Sequence, residues 1–289
     1  MIELKRDRLE FSFPEVHPAA RLTIEFQRTL RIPDDSHNYR LPPGLGRFPL
    51  VHVDDYAAAV PPTWIDHGGV MLPIYQAEAM WINFRTNYDD TRRADYPFAV
   101  KIAAGRICAV SGEEWRDGLR RPGGDRPGRD GAQLTVGSDP RSSADHDAPQ
   151  NYVVVPDQPW LDGFAVERDV IRQFVAMPLG SGYSAEEQIT GEAEFGGVQI
   201  QVFPMKRDEY EKRFPPVPPE EADSRILYQS AYSEKAFSSP PDMGLAPGGR
   251  MRQQIYADTY GIDAWDRDTT SRCFVHLANS ETWTRITGA

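Results

Sequence analysis

The chain contains little cysteine and no long apolar stretch. Its 289 residues include 2 cysteines, Cys108 and Cys273, which lie far apart and have no metal-ligand spacing. We therefore expect free buried thiols in a reducing compartment, although the sequence leaves a single disulfide open. No window approaches the roughly 18 apolar residues of a membrane helix, and the first residues lack the apolar run of a secretory signal. These absences predict a cytoplasmic protein that does not enter the membrane.

Basic charge is also scarce, because 32 Lys and Arg stand against 43 Asp and Glu, a formal net charge of −11 at pH 7. Such a surface repels the phosphate backbone of DNA or RNA. Nucleic acid is therefore not expected as a partner. No fixed-period repeat is found along the chain.

The dominant pattern is instead a period-2 alternation of apolar and polar residues between turn signals. In residues 21–32 one face carries an apolar row made of Leu22, Ile24, Phe26, Leu30 and Ile32. Residues 198–202 alternate in the same way after a Gly-Gly turn. We predict an all-β or mainly β chain, an antiparallel sandwich or jelly-roll-like assembly with short helical connectors.

The composition changes sharply in residues 112–150, where Gly, Pro, Arg, Asp and Ser dominate. Such a segment buries too little apolar area to offset its ordering entropy. We predict a flexible insertion within a single β-rich unit over residues 1–289, which leaves open two lobes, 1–111 and 151–289. A basic cluster in the insertion predicts a solvated loop or a docking segment for an acidic partner, and consists of Arg116, Arg120, Arg121, Arg126 and Arg129.

The stretch "PLGSGYSAEEQITGE", residues 178–192, resembles a phosphate cradle or a nucleophile loop at first sight. Ser184 and Glu187 have the spacing of a capping box, which explains the serine without catalysis. Acidic residues in the first helical turn would repel a bound phosphate, and the order of a nucleophile elbow is absent. We interpret the stretch as a structural turn that leads into a helix.

Residues 96–110 predict a β-hairpin with Ala104–Gly105 as its turn, which would place Lys101 opposite Cys108. A nearby ammonium group would favour the thiolate of Cys108. No histidine lies close in sequence to act as its base, so we interpret Cys108 as a small buried apolar residue.

One set of residues predicts a metal site. His52 and Asp54 would share one face of a strand, and a distant histidine would complete a two-histidine, one-carboxylate site for non-haem iron. His276 is the first choice for this third ligand and His67 the second. The alternative interpretation of residues 52–56 is an ordinary strand end followed by a turn.

Several strings, "PDQPWLDG", "RQFVAMPLGSGYSAEEQITGE", "FQRTLRIPDD" and "MGLAPGGRM", resemble a family of uncharacterised bacterial and fungal proteins. The resemblance covers most of the chain except the arginine-rich insertion. It implies a single intact unit, and it implies no activity, cofactor or catalytic residue.

The preferred functional hypothesis is a non-enzymatic binding or assembly protein. Loops at residues 41–48, 156–164 and 178–184 would form its recognition end for a protein, peptide or carbohydrate ligand, because function on β scaffolds usually resides in loops. A metal-dependent enzyme using His52, Asp54 and His276 is one alternative. A self-assembling structural protein, a homo-oligomer joined through strand edges or apolar patches, is the other.

Three residues are candidate ligand contacts. Trp160 and Tyr183 would stack on a sugar or a peptide, or their rings would instead plug the end of the sandwich core. Arg28 breaks the apolar row of residues 21–32. It predicts either a bulge that turns the side chain to solvent or a cation aimed into a pocket.

Overall fold

The computed structural model describes residues 1–120, 150–167, 169–217 and 243–289. The strands, numbered in chain order, are β1 (Ile2–Leu4), β2 (Leu9–Ser12), β3 (Arg21–Thr29), β4 (Asn38–Tyr39), β5 (Gly44–Arg47), β6 (Val51–His52), β7 (Val70–Pro73), β8 (Ala79–Thr86), β9 (Tyr88–Asp89), β10 (Ala94–Asp95), β11 (Phe98–Ala104), β12 (Ile107–Cys108), β13 (Val153–Val155), β14 (Trp160–Leu161), β15 (Gly163–Glu167), β16 (Val170–Pro178), β17 (Val198–Pro204), β18 (Met243–Arg252) and β19 (Ser271–Ala278). The helices are α1 (Pro62–His67), α2 (Ala185–Thr190), α3 (Arg207–Arg213) and α4 (Ser280–Thr287).

Much of the predicted insertion, including Arg121, Arg126 and Arg129, lies outside the described residues. Among the residues that are described, every helix is too short to cross a lipid bilayer.

The strands form two large sheets and a small ribbon of β9 and β10. The first sheet has the order β1-β2-β3-β8-β16-β18-β4, with β5 beside β3, β14 beside β8 and β15 beside β16. The second has the order β12-β11-β17-β19-β7-β6, with β13 beside β11. Pairing is antiparallel except between β18 and β4 and between β19 and β7. The predicted mainly β, antiparallel-rich fold is confirmed.

Most of the two apolar rows faces a shared core; the exceptions are Leu30, which is 56% exposed, and Ile32, which packs in a separate small cluster. Leu22, Ile24 and Phe26 of β3 are buried, and they belong to the same apolar cluster as Val198 and Ile200 of β17. Burying each such side chain stabilises the fold by about 1.5–3 kcal/mol. Because one strand lies in each sheet, the inner faces of the two sheets pack on each other as in a β-sandwich.

The two halves of the chain do not form separate lobes. In the first sheet β8, from the first half, pairs with β16 of the second half. In the second sheet β11 pairs with β17 and β7 pairs with β19. Residues 1–111 and 151–289 therefore contribute strands to both sheets and share their hydrogen-bond ladders.

The turn before α2 has the predicted capping box. Glu187 donates its backbone N–H to the Ser184 hydroxyl at 3.2 Å, while the Glu187 carboxylate accepts the Ser184 backbone N–H at 3.2 Å. The helix ends at Gly191 in the left-handed conformation, with φ 79°. The Gly-Ser-Gly stretch is thus a helix start, as its sequence indicates.

The predicted hairpin exists, but its register is different. Ala103 lies opposite Cys108 and Ala104 opposite Ile107, so the turn is Gly105–Arg106. Gly105 adopts φ 57°, which favours glycine, and this preference moves the turn by one residue from the predicted position. Cys108 and Cys273 are both free and buried.

Candidate binding groove on the second sheet

The floor of the candidate site is the outer face of the second sheet. Cys273, Val275 and Leu277 of β19 point into the core. Because side chains alternate along a strand, Arg272, Phe274 and His276 point outward. The register places Phe274 beside Gln199 of β17.

One wall is made by α1 and the segment that precedes β17. The ring of His67, the last residue of α1, lies 4.7 Å from the Phe274 ring and 4.9 Å from the Phe195 ring, measured between centroids. Glu186 fixes the backbone at Phe195, because its carboxylate accepts the backbone N–H groups of Phe195 at 3.2 Å and Gly196 at 2.9 Å. Burial raises the pKa of Glu186, although these hydrogen bonds oppose the rise.

The opposite wall is made by Trp115. The Arg272 guanidinium lies 5.1 Å from the Trp115 ring and 5.0 Å from the Phe274 ring, so that it is sandwiched between two aromatic side chains. The indole N–H of Trp115 donates to the Asp117 carboxylate at 3.0 Å. Cation–π contacts of this kind stabilise a geometry by about 0.5–2 kcal/mol each, and here they fix the wall and the cation together.

Between these walls lies a cavity of about 570 Å³, within the size range of small-ligand sites. Its lining residues are Asp66, His67, Arg106, Trp115, Glu194, Phe195, Gln199, Arg272 and Phe274. A smaller cavity of about 40 Å³ shares His67, Glu194 and Phe195 with it and extends to Trp64 and His276. We call the two cavities together the groove.

The arginines of the groove are already paired with carboxylates. Arg106 contacts Glu114, Glu192 at 3.4 Å and Glu194 at 3.0 Å. Arg272 reaches Asp117 at 3.4 Å. An incoming anion would therefore have to displace one of these carboxylates.

Beneath Trp115 lies a buried amine. The Lys101 ammonium is 4.3 Å from the Trp115 ring centroid and donates to the carbonyl oxygens of Arg116 and, at 3.1 Å, Gly118. Burial lowers the pKa of Lys101, since desolvation disfavours the charged form. Lys101 lies on the same face of the hairpin as Cys108, as predicted. The residue directly opposite Cys108 is Ala103, however, and Lys101 lies two residues before Ala103 on the same strand.

The predicted metal site is not formed. Asp54 begins a 3₁₀ helix, Asp54–Tyr56, rather than continuing the strand. His52 lies opposite Val70 and His276 beside Met71, so the two histidines occupy opposite faces of the second sheet. Across the described ranges no three His, Cys, Asp or Glu side chains are arranged to hold a metal ion.

His276 has a structural partner instead. Its Nε2 lies 3.0 Å from the carbonyl oxygen of Gly68, which can only accept, so Nε2 carries the proton. Its ring stacks on Trp64 at 4.7 Å and lies 6.3 Å from the His67 ring. Burial lowers the pKa of His276 to about 4, and His276 is therefore a neutral hydrogen-bond donor at neutral pH.

Arg28 is neither solvent-facing nor a pocket residue. The register of β3 with β5 shifts between Gln27 and Thr29, so the predicted bulge is present. The Arg28 side chain is only 15% exposed, and it contacts Glu78 at 3.3 Å. Its guanidinium lies 4.7 Å above the ring of Phe48. The bulge thus directs Arg28 into an internal ion pair.

Trp160 and Tyr183 are exposed, with 38% and 54% of their surface accessible, so neither ring plugs the core. They do not line the groove. Of the three predicted recognition loops, only residues 178–184 reach it, through Leu179. Residues 44–47 and 160–161 are strands of the first sheet rather than loops.

Most of the groove is not apparent from the sequence. The alternation in residues 271–278 places Arg272, Phe274 and His276 on one face, and this signal could have identified the floor. Trp115 and Phe195 reach the groove from turns that are distant in sequence from β19, and no local sequence pattern predicts that they lie there.

Comparisons with protein-family models, with curated proteins and with solved structures found no match for this chain. The resemblance to a bacterial and fungal family therefore stays an expectation.

Proposed function

We propose that this chain is a non-enzymatic binding protein whose groove receives a positively charged group. The group would be an alkylammonium or guanidinium, presented by a peptide side chain or by a small amine. The observation that carries the proposal is the combination of aromatic walls with an excess of carboxylates over basic groups.

The aromatic walls suit a cation because the faces of aromatic rings carry negative potential. Trp115, Phe274, Phe195 and His67 surround the cavity, and Trp115 and Phe274 already bind the guanidinium of Arg272 in this way. Because Arg272 already occupies the faces of Trp115 and Phe274, a ligand cation would contact the rings of Phe195 and His67.

The charge balance favours the same ligand. Five carboxylates line the groove or contact its arginines, namely Asp66, Glu114, Asp117, Glu192 and Glu194. They outnumber Arg106, Arg272 and the buried Lys101. An incoming cation would relieve the repulsion among the carboxylates, whereas an anion would increase it.

The rival hypothesis of a metal-dependent enzyme required His52, Asp54 and His276 to bind one metal ion. The described residues contain no cluster of three His, Cys, Asp or Glu side chains that could hold a metal. The self-assembly hypothesis stays a prediction.

The test is a titration at low ionic strength, followed by isothermal calorimetry and by tryptophan fluorescence, to which Trp115 contributes as one of 6 tryptophans. The probes are N-acetyl-lysine amide, N-acetyl-arginine amide and a lysine-containing hexapeptide, each compared with its glutamate and norleucine counterparts. We expect the cationic probes alone to bind, and more weakly as salt is added. Preference for the peptide would identify a protein partner, and equal binding of the small amides would indicate a free amine.

Matched variants localise the site. Glu194→Gln keeps the shape of the groove and removes one charge, and we expect it to weaken binding several-fold. Glu281→Gln removes an exposed carboxylate on α4 and should leave binding unchanged. Binding of the glutamate probes with an affinity that Glu194→Gln changes, or equal binding of the cationic probes by both variants, would refute the proposal.

A further inference from the structure

The outer face of the first sheet carries a cluster of three arginines around one carboxylate. Glu25 of β3 is almost fully buried, with 1% of its side chain exposed, and lies 2.5 Å from Nε of Arg8. It also lies 3.4 Å from Nη1 of Arg47 and 3.9 Å from Nη2 of Arg85. We call Arg8, Arg47 and Arg85 the arginine cluster.

The cluster carries more positive charge than its carboxylate neutralises. The three guanidinium groups meet a single carboxylate, and their side chains remain 32%, 35% and 59% exposed. Glu3 and Glu10, on the neighbouring strands, are held by Lys5 at 2.5 and 2.9 Å. An excess of accessible positive charge in a chain of net charge −11 is a local feature that favours an anionic ligand.

An aromatic ring lies in the same row of the sheet. The register places Asn83 of β8 opposite Glu25, and Trp160 of β14 opposite Asn83. Residues that oppose one another across a ladder point to the same face, and neighbouring strands lie about 4.8 Å apart. The backbone of Trp160 therefore lies about 10 Å from that of Glu25, the carboxylate at the centre of the arginine cluster, and Asn83 stands between them.

The position of the row in the sheet excludes one common mode of peptide binding. Strands β3 and β8 are interior strands, each paired on both sides. Their backbone groups are already used in the sheet, so an extended peptide could not add to them as a further strand. A ligand must be recognised by side chains alone.

We propose that this face binds an acidic carbohydrate. The carboxylate of a uronic-acid unit would pair with the arginine cluster, since guanidinium groups match carboxylates in bidentate geometry. A neighbouring sugar ring would stack its apolar face on Trp160. Sugar hydroxyls would donate to the amide oxygen of Asn83, whose Nδ2 donates to Glu25 at 3.3 Å. This site is separate from the groove and is independent of the cation proposal.

The experiment is a calorimetric titration of the whole chain with tri-galacturonate. The comparison ligands are neutral galactotriose, citrate and a hexaglutamate peptide. We expect tri-galacturonate to bind, at least tenfold more tightly than each comparison ligand, and its affinity to fall as salt is added. Absence of binding by tri-galacturonate, or equal binding by galactotriose, would overturn the proposal. Equal or tighter binding by citrate or hexaglutamate would also overturn it, because it would show a general anion surface.

Variants locate the site and protect against loss of the fold. Arg85→Gln alters the most exposed arginine of the cluster, and Trp160→Ala removes an exposed ring. Each should weaken tri-galacturonate binding at least tenfold while the thermal midpoint of unfolding stays close to that of the parent chain. Glu194→Gln, which alters the groove instead, should leave the affinity for tri-galacturonate unchanged. Unchanged affinity in either of the first two variants would contradict the proposed site.

Discussion

The carboxyl group of Asp162 makes the stability of this protein depend on pH in an unusual direction. Asp162 is 3% exposed, and Nε2 of Gln253 donates to its Oδ2 at 2.9 Å. Burial raises the pKa of Asp162 from 3.8 to about 7, while the hydrogen bond from Gln253 opposes the rise. In the unfolded chain the group returns to its ordinary value, so the folded state binds the proton more tightly.

Because the folded state has the higher pKa, protonation of Asp162 stabilises the fold, and this contribution decreases as pH rises. Below pH 3.8 the group is protonated in both states, and its full contribution to stability is present. As pH rises through about 7, the folded state must ionise a buried carboxyl and the contribution is lost. At about 1.36 kcal/mol per pH unit between the two pKa values, the loss is roughly 4 kcal/mol, a large share of the about 5–15 kcal/mol of a typical domain.

The assay is urea denaturation at several pH values from 4 to 8, followed by tryptophan fluorescence, for the parent chain and for Asp162→Asn. The asparagine keeps the shape and the hydrogen bond of the protonated acid but does not titrate. We expect the variant to gain stability relative to the parent by roughly 4 kcal/mol as pH rises across this range. Asp90→Asn, at an exposed position, serves as the control. A difference between Asp162→Asn and the parent that stays constant with pH would refute the reasoning.

Two further predictions concern the loops around α2. Ser184→Ala removes the hydroxyl that accepts the Glu187 N–H and should lower the free energy of unfolding by about 1 kcal/mol, measured in urea; an unchanged midpoint would contradict the role of the cap. Gly105→Ala places a Cβ 2.4 Å from the Glu186 carboxylate, whereas Gly112→Ala, at similarly positive φ, meets nothing within 4 Å. Thermal unfolding should show a larger loss for Gly105→Ala than for Gly112→Ala, and equal losses would mean that the contact with Glu186 costs nothing.

The parts of the fold that follow from local pattern could be predicted from the sequence. Alternation in residues 21–32 and 198–202 identified inward-facing residues such as Ile24 and Ile200, because a two-sided strand exposes its period directly. The Ser184–Glu187 spacing identified the start of α2, since a capping box is completed within four residues.

The candidate site could not be predicted in the same way. Trp115 and Arg272 are separated by more than half the chain, and their contact depends on which strands become neighbours. His52 and His276 come within two strands of each other, yet the register turns them to opposite faces. A shift of one residue would have reversed that outcome, and sequence alone does not fix such a register.

The most direct test of the binding proposal is a crystal structure of the chain soaked with N-acetyl-arginine amide. The account predicts a guanidinium group within the groove, next to Glu194 and against the ring of His67 or Phe195. A probe found only elsewhere on the surface, or a groove that excludes it at saturating concentration, would contradict the central claim.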